Sequence, residues 1–511
     1  MHCLPTKQMT CRKLTIMLAL CLTAAAQPFA KLPVQAAEKP NVLFIAIDDL
    51  NDWLGCFGGH PQAITPNIDR LAKRGVLFSN AHCAAPLCGP SRNAIFTGRQ
   101  PFHTGMYSNN DKGWHKENPG VLLLPQVFQN AGYKTFGTGK LLHGSSRSVF
   151  QSEFFPEQRW SPFTGKSAKY TKAELSGKGG DNPRHVIRMN GREYVLPFNR
   201  MPSDRSPNDP KGESFDWASL DVADGDMGDG KITDWAIQNL RRQSAAKPFF
   251  MAVGYYRPHI PLYAPKKYFD LYDGIDIKLP LVREDDLEDL SPVASKWALE
   301  AVTAGAHATT VKHGQWQAAV RAYLACVTFI DAQVGRILDV LDSTPHSKNT
   351  WVILFGDHGW HLGEKQHWGK WTGWQRSTQV PLLILPPSFS EGRFATNATC
   401  DNPVSLIDLY PSLVDLCGLK QVHRLDGQSL RSQLTNPEAI SNRLAITTFD
   451  KGNHAISGTN WRYIRYSNGS EELYHRKNDP HEWTNLAGKP NYAKIVSRFA
   501  KALDVRLSRI K

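Results

Sequence analysis

Four apolar runs in this 511-residue chain end in the same way. NVLFIAI (Asn41–Ile47) runs into Asp48-Asp49, and YKTFGT (Tyr133–Thr138) into Gly139-Lys140 and on to His143. PFFMAVGYY (Pro248–Tyr256) runs into Arg257-Pro258-His259, and WVILFG (Trp351–Gly356) into Asp357-His358. Short unbroken runs of this kind suit strands buried on both faces, since a strand with one wet face would alternate. Amphipathic stretches stand between them, at 68–75, 123–132, 232–242 and 318–341. Strands alternating with helices predict an α/β fold, a large and mostly parallel central sheet sandwiched by helices. In such sheets ligands bind beyond the carboxyl ends of the strands. Polar residues start loops in any protein, which accounts for one or two of these endings. It does not account for Asp-Asp, Lys, His and Asp-His all past carboxyl ends.

Other segments set the boundaries. Lys7, Arg12 and Lys13 precede the apolar stretch LTIMLALCLTAAA, and small residues follow to Ala37, the pattern of an export signal over 1–37. The stretch is too short to span a bilayer comfortably, and no later run is long enough. The expectation is a periplasmic or secreted protein without stable membrane insertion; the bulky Leu20 argues against a lipid anchor at Cys21. One large domain is expected over 38–439. Within it, 145–219 is rich in Gly, Lys, Arg, Pro and Ser and reads as an insertion over one end of the sheet. From 440 on, short alternating strands and a final helix at 492–509 predict a small antiparallel α+β subdomain.

Three of the nine cysteines (Cys3, Cys11, Cys21) fall in the signal segment. Cys56, Cys83, Cys88, Cys326, Cys400 and Cys417 remain, with no CxxC pair and no zinc spacing. A bridge such as Cys400–Cys417 is allowed but not deducible, and this is not a disulfide scaffold. The net charge of +13 suits an anionic partner, or simply a basic surface.

Adjacent carboxylates at a buried strand end repel and need a counter-charge. One pair, Asp48-Asp49, would read as a helix cap beside a solvated acid. A second acidic ending, Asp357-His358, shifts the reading to a hard divalent cation held mainly by oxygen. Cys88 leads into Gly89-Pro90 and a predicted helix through Phe96, so it sits at a helix N-terminus that favours negative charge. Arg92, one turn on, adds to an anion site.

CGPSRNAIFTGR (Cys88–Arg99) resembles the C-x-P-S-R…T-G-R signature of the type I, formylglycine-dependent sulfatases. Its companions IAIDDL, GTGKLLH, RPHIP, GDHGWHLGE and HWGK are present in the expected order. The tail ELYHRKNDPHEWTNLA resembles the family's ending, so the likeness covers nearly all the chain after about residue 39. GYYRPHIPLYAPKKY and GDHGWHLGE, with His358 where many sulfatases have Asn, are most similar to iduronate-2-sulfatase-like members. The resemblance implies the alkaline-phosphatase-like sulfatase fold, with 38–439 as catalytic domain. It also implies hydrolysis of sulfate esters, expected on O-sulfated sugars of an anionic polysaccharide. Cys88 would be oxidised to Cα-formylglycine by a separate maturation enzyme. One hydroxyl of the hydrated aldehyde would attack sulfur, and loss of the other's proton would expel sulfate.

Position by position, Asp48, Asp49, Asp357 and His358 match the family's metal ligands, with residue 88 as the fifth, for calcium or else magnesium. Arg92 matches the residue that holds the formylglycine, and Lys140 and His143 the pair near its hydroxyls. His259 and Lys370 match the groups on the sulfate, with His259 the acid for the leaving oxygen. His82, His115, His361 and His367 are weaker pocket candidates; Trp53, Trp114, Trp217, Trp371 and Trp374 offer sugar-stacking faces as a group, though each taken singly reads as core or rim. Gly89 stands where many members have Ser, Thr or Ala, and Phe96 where Leu is common. The expected partners are a sulfated carbohydrate and the maturation enzyme, with no nucleic acid. The rival readings are a phosphonate monoester or phosphodiester hydrolase with the same centre, and a non-catalytic secreted glycan-binding protein with Cys88 unmodified.

Overall fold

The four apolar runs become neighbouring strands of one sheet. The computed structural model of the protein describes residues 39–508 except 112–113, 144–147, 157–158, 164–167, 171–184, 190, 202–214, 245–246 and 302–304. The expected export signal and much of 145–219 therefore lie outside the described residues.

In chain order the central sheet comprises β1 (Asn41–Ile47), β2 (Val76–Phe78), β3 (Lys134–Gly139), β4 (Ser152–Phe154), β5 (Phe249–Tyr255), β6 (Thr350–Gly356), β7 (Leu382–Leu385) and β8 (Ala398–Cys400). Their spatial order is β8-β2-β7-β6-β1-β5-β3-β4. β1 lies between β5 and β6 and is parallel to both, and β3 continues in parallel beside β5. Only β7 runs against its neighbours. The sheet is thus mostly parallel, with β7 reversing the pattern toward one edge.

Alternate residues of each strand serve opposite faces. Leu43, Ile45 and Ile47 of β1 join one apolar cluster, and Val42, Phe44 and Ala46 join the other. All six are buried, as the unbroken runs require. Burying a side chain such as Phe44 contributes roughly 2–3 kcal/mol over leaving it in water. Helices α1 (Pro66–Ala72), α4 (Gly228–Arg241) and α5 (Trp316–Asp342) cover the first face. Helices α2 (Cys88–Thr97), α3 (Leu124–Asn130) and α6 (Leu409–Leu416) cover the second.

The region expected to be an irregular insertion contains strands. β4 extends the edge of the central sheet, and Ala168–Tyr170, His185–Met189 and Arg192–Leu196 form a small antiparallel sheet. Trp217–Leu220 pairs with Leu262–Pro265, directly after the β5 turn. At the other end of the chain, β9 (Ala445–Thr448), β10 (His454–Ser457), β11 (Trp461–Arg465) and β12 (Glu471–His475) form an antiparallel sheet in sequence order. Helix α7 (Ala493–Leu507) packs Phe499 and Leu503 onto one face of it. From Lys39 on, the chain forms a single compact unit.

Cys56, Cys83, Cys88, Cys326, Cys400 and Cys417 are all free thiols, so the Cys400–Cys417 bridge does not form. Cys400 sits on β8, whereas Cys417 caps α6.

Candidate active site

The register brings the strand ends level. Ile47 of β1 pairs with Gly356 of β6 and Tyr255 of β5, and Gly254 pairs with Gly139 of β3. The residues that follow therefore emerge side by side: Asp48-Asp49, Asp357-His358, Lys140, and the turn to His259. Asp49 adopts φ +57°, a left-handed conformation that Asp tolerates better than most residues. Glycine is needed where β3 and β5 end. A Cβ on Gly139 would lie 1.9 Å from the Gly254 carbonyl oxygen, and one on Gly254 would lie 2.1 Å from the Lys140 oxygen. This close approach sets Lys140 beside the end of β5. Buried Asp229, in the first turn of α4, holds the other turn by accepting the Tyr256 and Arg257 N–H groups at 2.7 and 3.2 Å.

Helix α2 supplies the fifth element. Cys88 is its first residue, so the helix begins slightly earlier than the Gly89-Pro90 pair predicts. Leu87 cannot cap it, and the Gly89 N–H instead donates to Asn109 Oδ1 at 2.8 Å. Ser91 Oγ donates to the Asp357 carbonyl oxygen at 2.6 Å, and Arg92 Nε to Asp357 Oδ2 at 2.7 Å. The helix start is thereby fixed against the end of β6.

Cys88 Sγ lies at the centre, 3.1 Å from Lys370 Nζ, 3.3 Å from His358 Nε2, 3.4 Å from Lys140 Nζ and 3.4 Å from Asp48 Oδ1. His143 and His259 lie close enough to the sulfur to act on it electrostatically, and His259 Nε2 stands 3.9 Å from Asp49 Oδ2. Lys140 pairs with Asp48, and Lys370 pairs with Asp49 at 2.6 Å. Arg92 Nη2 lies 3.5 Å from Asp48. Lys140 stacks over the Tyr256 ring at 4.6 Å and Lys370 over the Trp360 ring at 5.4 Å, which restricts both flexible side chains.

The electrostatics of this dry cluster are strongly biased. Burial raises the Cys88 thiol, but Lys140, Lys370 and His358 outweigh it and hold the pKa well below its ordinary value. Burial pushes Asp49 up to about 7, against the pull of Lys370, and Asp357 up to about 6, against that of Arg92. His358 rises to about 9: burial opposes its charge, but Asp357 favours it. His259 falls to about 3 through burial and the nearby Lys140 and Lys370.

One ligand atom from each of Asp48, Asp49, Cys88 and His358 lies within 4.8 Å of the other three. Asp49 Oδ2 is buried with no hydrogen-bond partner. Asp357 borders the group, with its Oδ2 3.6 Å from His358 Nε2. Its Oδ1 accepts the Asp49 and His358 N–H groups at 3.2 and 3.0 Å. Against its burial, Asp48 is held ionised by Lys140, His259 and Arg92, whereas Asp49 and Asp357 resist ionisation. The orphaned Asp49 oxygen among these three carboxylates fits a divalent cation.

Sequence reasoning therefore named a set that the fold brings together: Asp48, Asp49, Cys88, Arg92, Lys140, His143, His259, Asp357, His358 and Lys370. The weaker histidines do not join them. His82 is buried against Asn80, and His361 against Glu364 and Thr372. His115 is exposed. His367 bonds the carbonyls of Ala298 and Lys370, and so supports the Lys370 loop rather than lining the site. Trp53, Trp217 and Trp374 are core residues, not sugar platforms; Trp371 is half-buried, and the Trp114 side chain lies outside the described residues. Ser91, Asn109, Tyr256 and Trp360 were missed. Tyr256 and Trp360 stand within the quoted RPHIP and GDHGW neighbourhoods, but nothing in one sequence separates them from core aromatics.

The fold is shared with solved structures of two activities. One is a phosphonate monoester hydrolase of Agrobacterium radiobacter (TM-score 0.70, 20% identity, 92% of this chain and 96% of that one). Another was determined in complex with its substrate D-glucosamine-2-N,6-O-disulfate (TM-score 0.66, 20% identity, 92% and 98%). The fold is thus the alkaline-phosphatase-like one. Residues 40–419 match the Sulfatase family, and 363–508 match the C-terminal region of N-sulphoglucosamine sulphohydrolase. A sulfatase of Formosa agariphila is 35% identical over 92% of this chain and 88% of its own length. The iduronate 2-sulfatase of Homo sapiens is 28% identical over 91% and 84%. The chain belongs to the sulfatase family and is a sulfuric ester hydrolase.

Proposed function

We propose that this sulfatase removes sulfate from O-sulfated sugars of an anionic polysaccharide, after Cys88 has been converted to Cα-formylglycine. The observation that carries this reading is the Cys88 sulfur at a helix N-terminus, 3.1–3.4 Å from Lys370, His358, Lys140 and Asp48.

Asp48, Asp49, Asp357 and His358 would hold a divalent cation, calcium before magnesium, with residue 88 beside it. When bound, the cation supplies positive charge against the sulfate oxygens. Once formed, hydrated formylglycine supplies one hydroxyl to attack sulfur and a second whose deprotonation releases sulfate. The chain's own residues do the rest. Lys370 neutralises the incoming sulfate and orients it, and Lys140 stabilises charge at the formylglycine hydroxyls. Arg92 fixes Asp357 and the start of α2. His143, at the exposed rim, stands by the hydroxyls. His259 Nδ1 bonds the Ile260 carbonyl oxygen at 2.5 Å. A carbonyl only accepts, so Nδ1 carries the proton and Nε2 faces the site. Burial and the two lysines hold the His259 pKa down; an anionic ester offsets the lysines, which favours uptake of a proton from solvent at Nε2 and its transfer to the leaving oxygen.

The carbohydrate reading rests on the net charge, +13 for the whole chain and about +9 without the four basic residues of 1–37, and on relatives named iduronate 2-sulfatase and ulvan-active sulfatase. We read 1–37 as an export signal, 38–439 as the catalytic domain and 440–511 as a C-terminal subdomain. No helix among the described residues is long and apolar enough to cross a membrane. Paired aryl sulfate, aryl phosphate and phosphonate substrates test the reaction, and defined sulfated oligosaccharides test the substrate. A dominant phosphonate or phosphodiester rate would overturn the sulfatase mechanism proposed here. Turnover of aryl sulfate with no release from any sulfated sugar would overturn the substrate.

A further inference from the structure

We propose that Arg462 is a positioning residue for the reaction. It lies on β11 of the C-terminal sheet, touches no reacting atom, and fixes the loop carrying Lys370 against the segment carrying Cys88. Lys370 has four rotatable carbons and sits on a loop, just past the short strand Trp368–Gly369. Its ammonium holds a 3.1 Å contact to the Cys88 sulfur only if that loop is itself immobile.

Two backbone ties join the loop to the Cys88 segment. Trp371 N donates to the Pro86 oxygen at 2.9 Å, and Cys83 N to the Thr378 oxygen at 2.9 Å. The C-terminal sheet braces both partners. From β9, Thr448 N donates to the Ala84 oxygen at 2.8 Å and Thr447 Oγ1 to the Cys83 oxygen at 2.6 Å. From β11, the fully buried Arg462 donates to the Gly373 oxygen, with Nε at 3.1 Å, and also to Thr378 Oγ1 and Ser457 Oγ. Glu482 lies 3.1 Å from the guanidinium, and its other oxygen accepts the Gln375 N–H at 2.7 Å. Glu472 accepts Trp374 Nε1 at 2.9 Å. Gly373, Trp374 and Thr378 are thus gripped from one sheet, and Gln375 by Glu482 in the loop that follows it. Arg462 is the member that ties the two ends of this segment together. A lysine has the charge but not the planar fork needed for these acceptors at once.

Strand periodicity supplies an internal control. Arg462 and Ile464 face the Lys370 loop, whereas Tyr463 faces α7 and packs with Phe499. Damage on the α7 face loosens the same sheet without touching the ties.

The test uses mature enzyme whose formylglycine content is verified by peptide mass spectrometry, assayed on an aryl sulfate well below its Tm. Arg462→Lys is expected to lower kcat about tenfold or more with KM changed by less than about threefold, because small misplacements of a catalytic group act on the chemical step. Thr378→Ala removes one acceptor and keeps the Arg462–Glu482 pair; it is expected to lower kcat several-fold, and it decides the matter if Arg462→Lys does not fold. Phe499→Ala is expected to lower Tm at least as much as either and to leave kcat within about twofold. Wild-type kcat in both Arg462→Lys and Thr378→Ala, or an equal kcat loss in Phe499→Ala, would overturn the proposal. The inference rests on the sulfate-binding role given to Lys370, and Lys370→Ala separates the two. Undiminished kcat in Lys370→Ala refutes that role, whereas a large loss there with none in Arg462→Lys or Thr378→Ala refutes only the positioning by Arg462.

Discussion

Cys83 and Cys88 lie five residues apart and are equally buried, at 0% and 1% exposure, yet their thiols are biased in opposite directions. Burial pushes Cys83 well above the ordinary thiol value, and Asp357 adds to the effect. Burial acts on Cys88 too, but Lys140, Lys370 and His358 reverse it. The segment before α2 is lined by backbone carbonyls and apolar side chains; the start of α2 faces the ends of β6, β1, β5 and β3. Reactivity here follows from which charges surround a side chain, not from how deeply it is buried.

The sharpest way to break this comparison is to replace each sulfur. Cys88→Ser is expected to reduce kcat on an aryl sulfate by at least about a thousandfold, because serine lacks the second hydroxyl that releases the product. Cys83→Ser is expected to keep kcat within about twofold and to cost about 1–2 kcal/mol of stability, read from chemical denaturation. Equal activity losses in the two variants would remove the distinction. Next in size is the charge around Cys88. Lys140→Ala is expected to lower kcat/KM by about a hundredfold, in line with the loss of one charged donor to a transition state.

The carboxylates give a pH test. Asp49 and Asp357, held up to about 7 and 6, keep protons in the cation-free fold that they would lose in the unfolded chain. Their contribution to stability is therefore present at low pH and lost as pH rises through those values. Calcium must displace those protons, so its affinity rises between pH 5 and 8 and binding releases protons. Calorimetry in two buffers of different ionisation enthalpy measures this; pH-independent affinity without proton release would rule out these carboxylates as ligands. The smallest effect is expected at the helix start. Asn109→Ala removes the acceptor of the Gly89 N–H and should cost about 1 kcal/mol, measurable as a few degrees in Tm.

The pole of the sheet was legible because its chemistry follows each strand directly in sequence. β1, β5 and β6 are seven-residue unbroken apolar runs, and the shorter β3, KTFGTG, ends the same way, so both the strand and its terminal residues could be read together. β2 and β8 are three residues long, and β7 stands between Pro381 and Pro386, so neither periodicity nor length announced them. Arg462 had no local signal: its ties reach back 84 to 89 residues, and exposed-looking charges in the alternating stretch NWRYIRYS read as a wet strand face. An aromatic's identity does not say whether its ring meets solvent, so each tryptophan read as core or rim before sugar face; Trp374 is held in the core by Glu472, a buried acid no pattern foretold. Gly89, noted only as a departure from the family, has a physical reason. A Cβ there would lie 2.6 Å from Asn109 Oδ1, the atom that caps α2.

The most direct measurement is peptide mass spectrometry of the Cys88–Arg99 segment from protein made in its native host, paired with sulfate release by the same preparation. Conversion of Cys88 to formylglycine lowers the residue mass by about 18 Da, and the account predicts that activity scales with the converted fraction. An unmodified Cys88 thiol in a preparation that hydrolyses sulfate esters at full rate would contradict it.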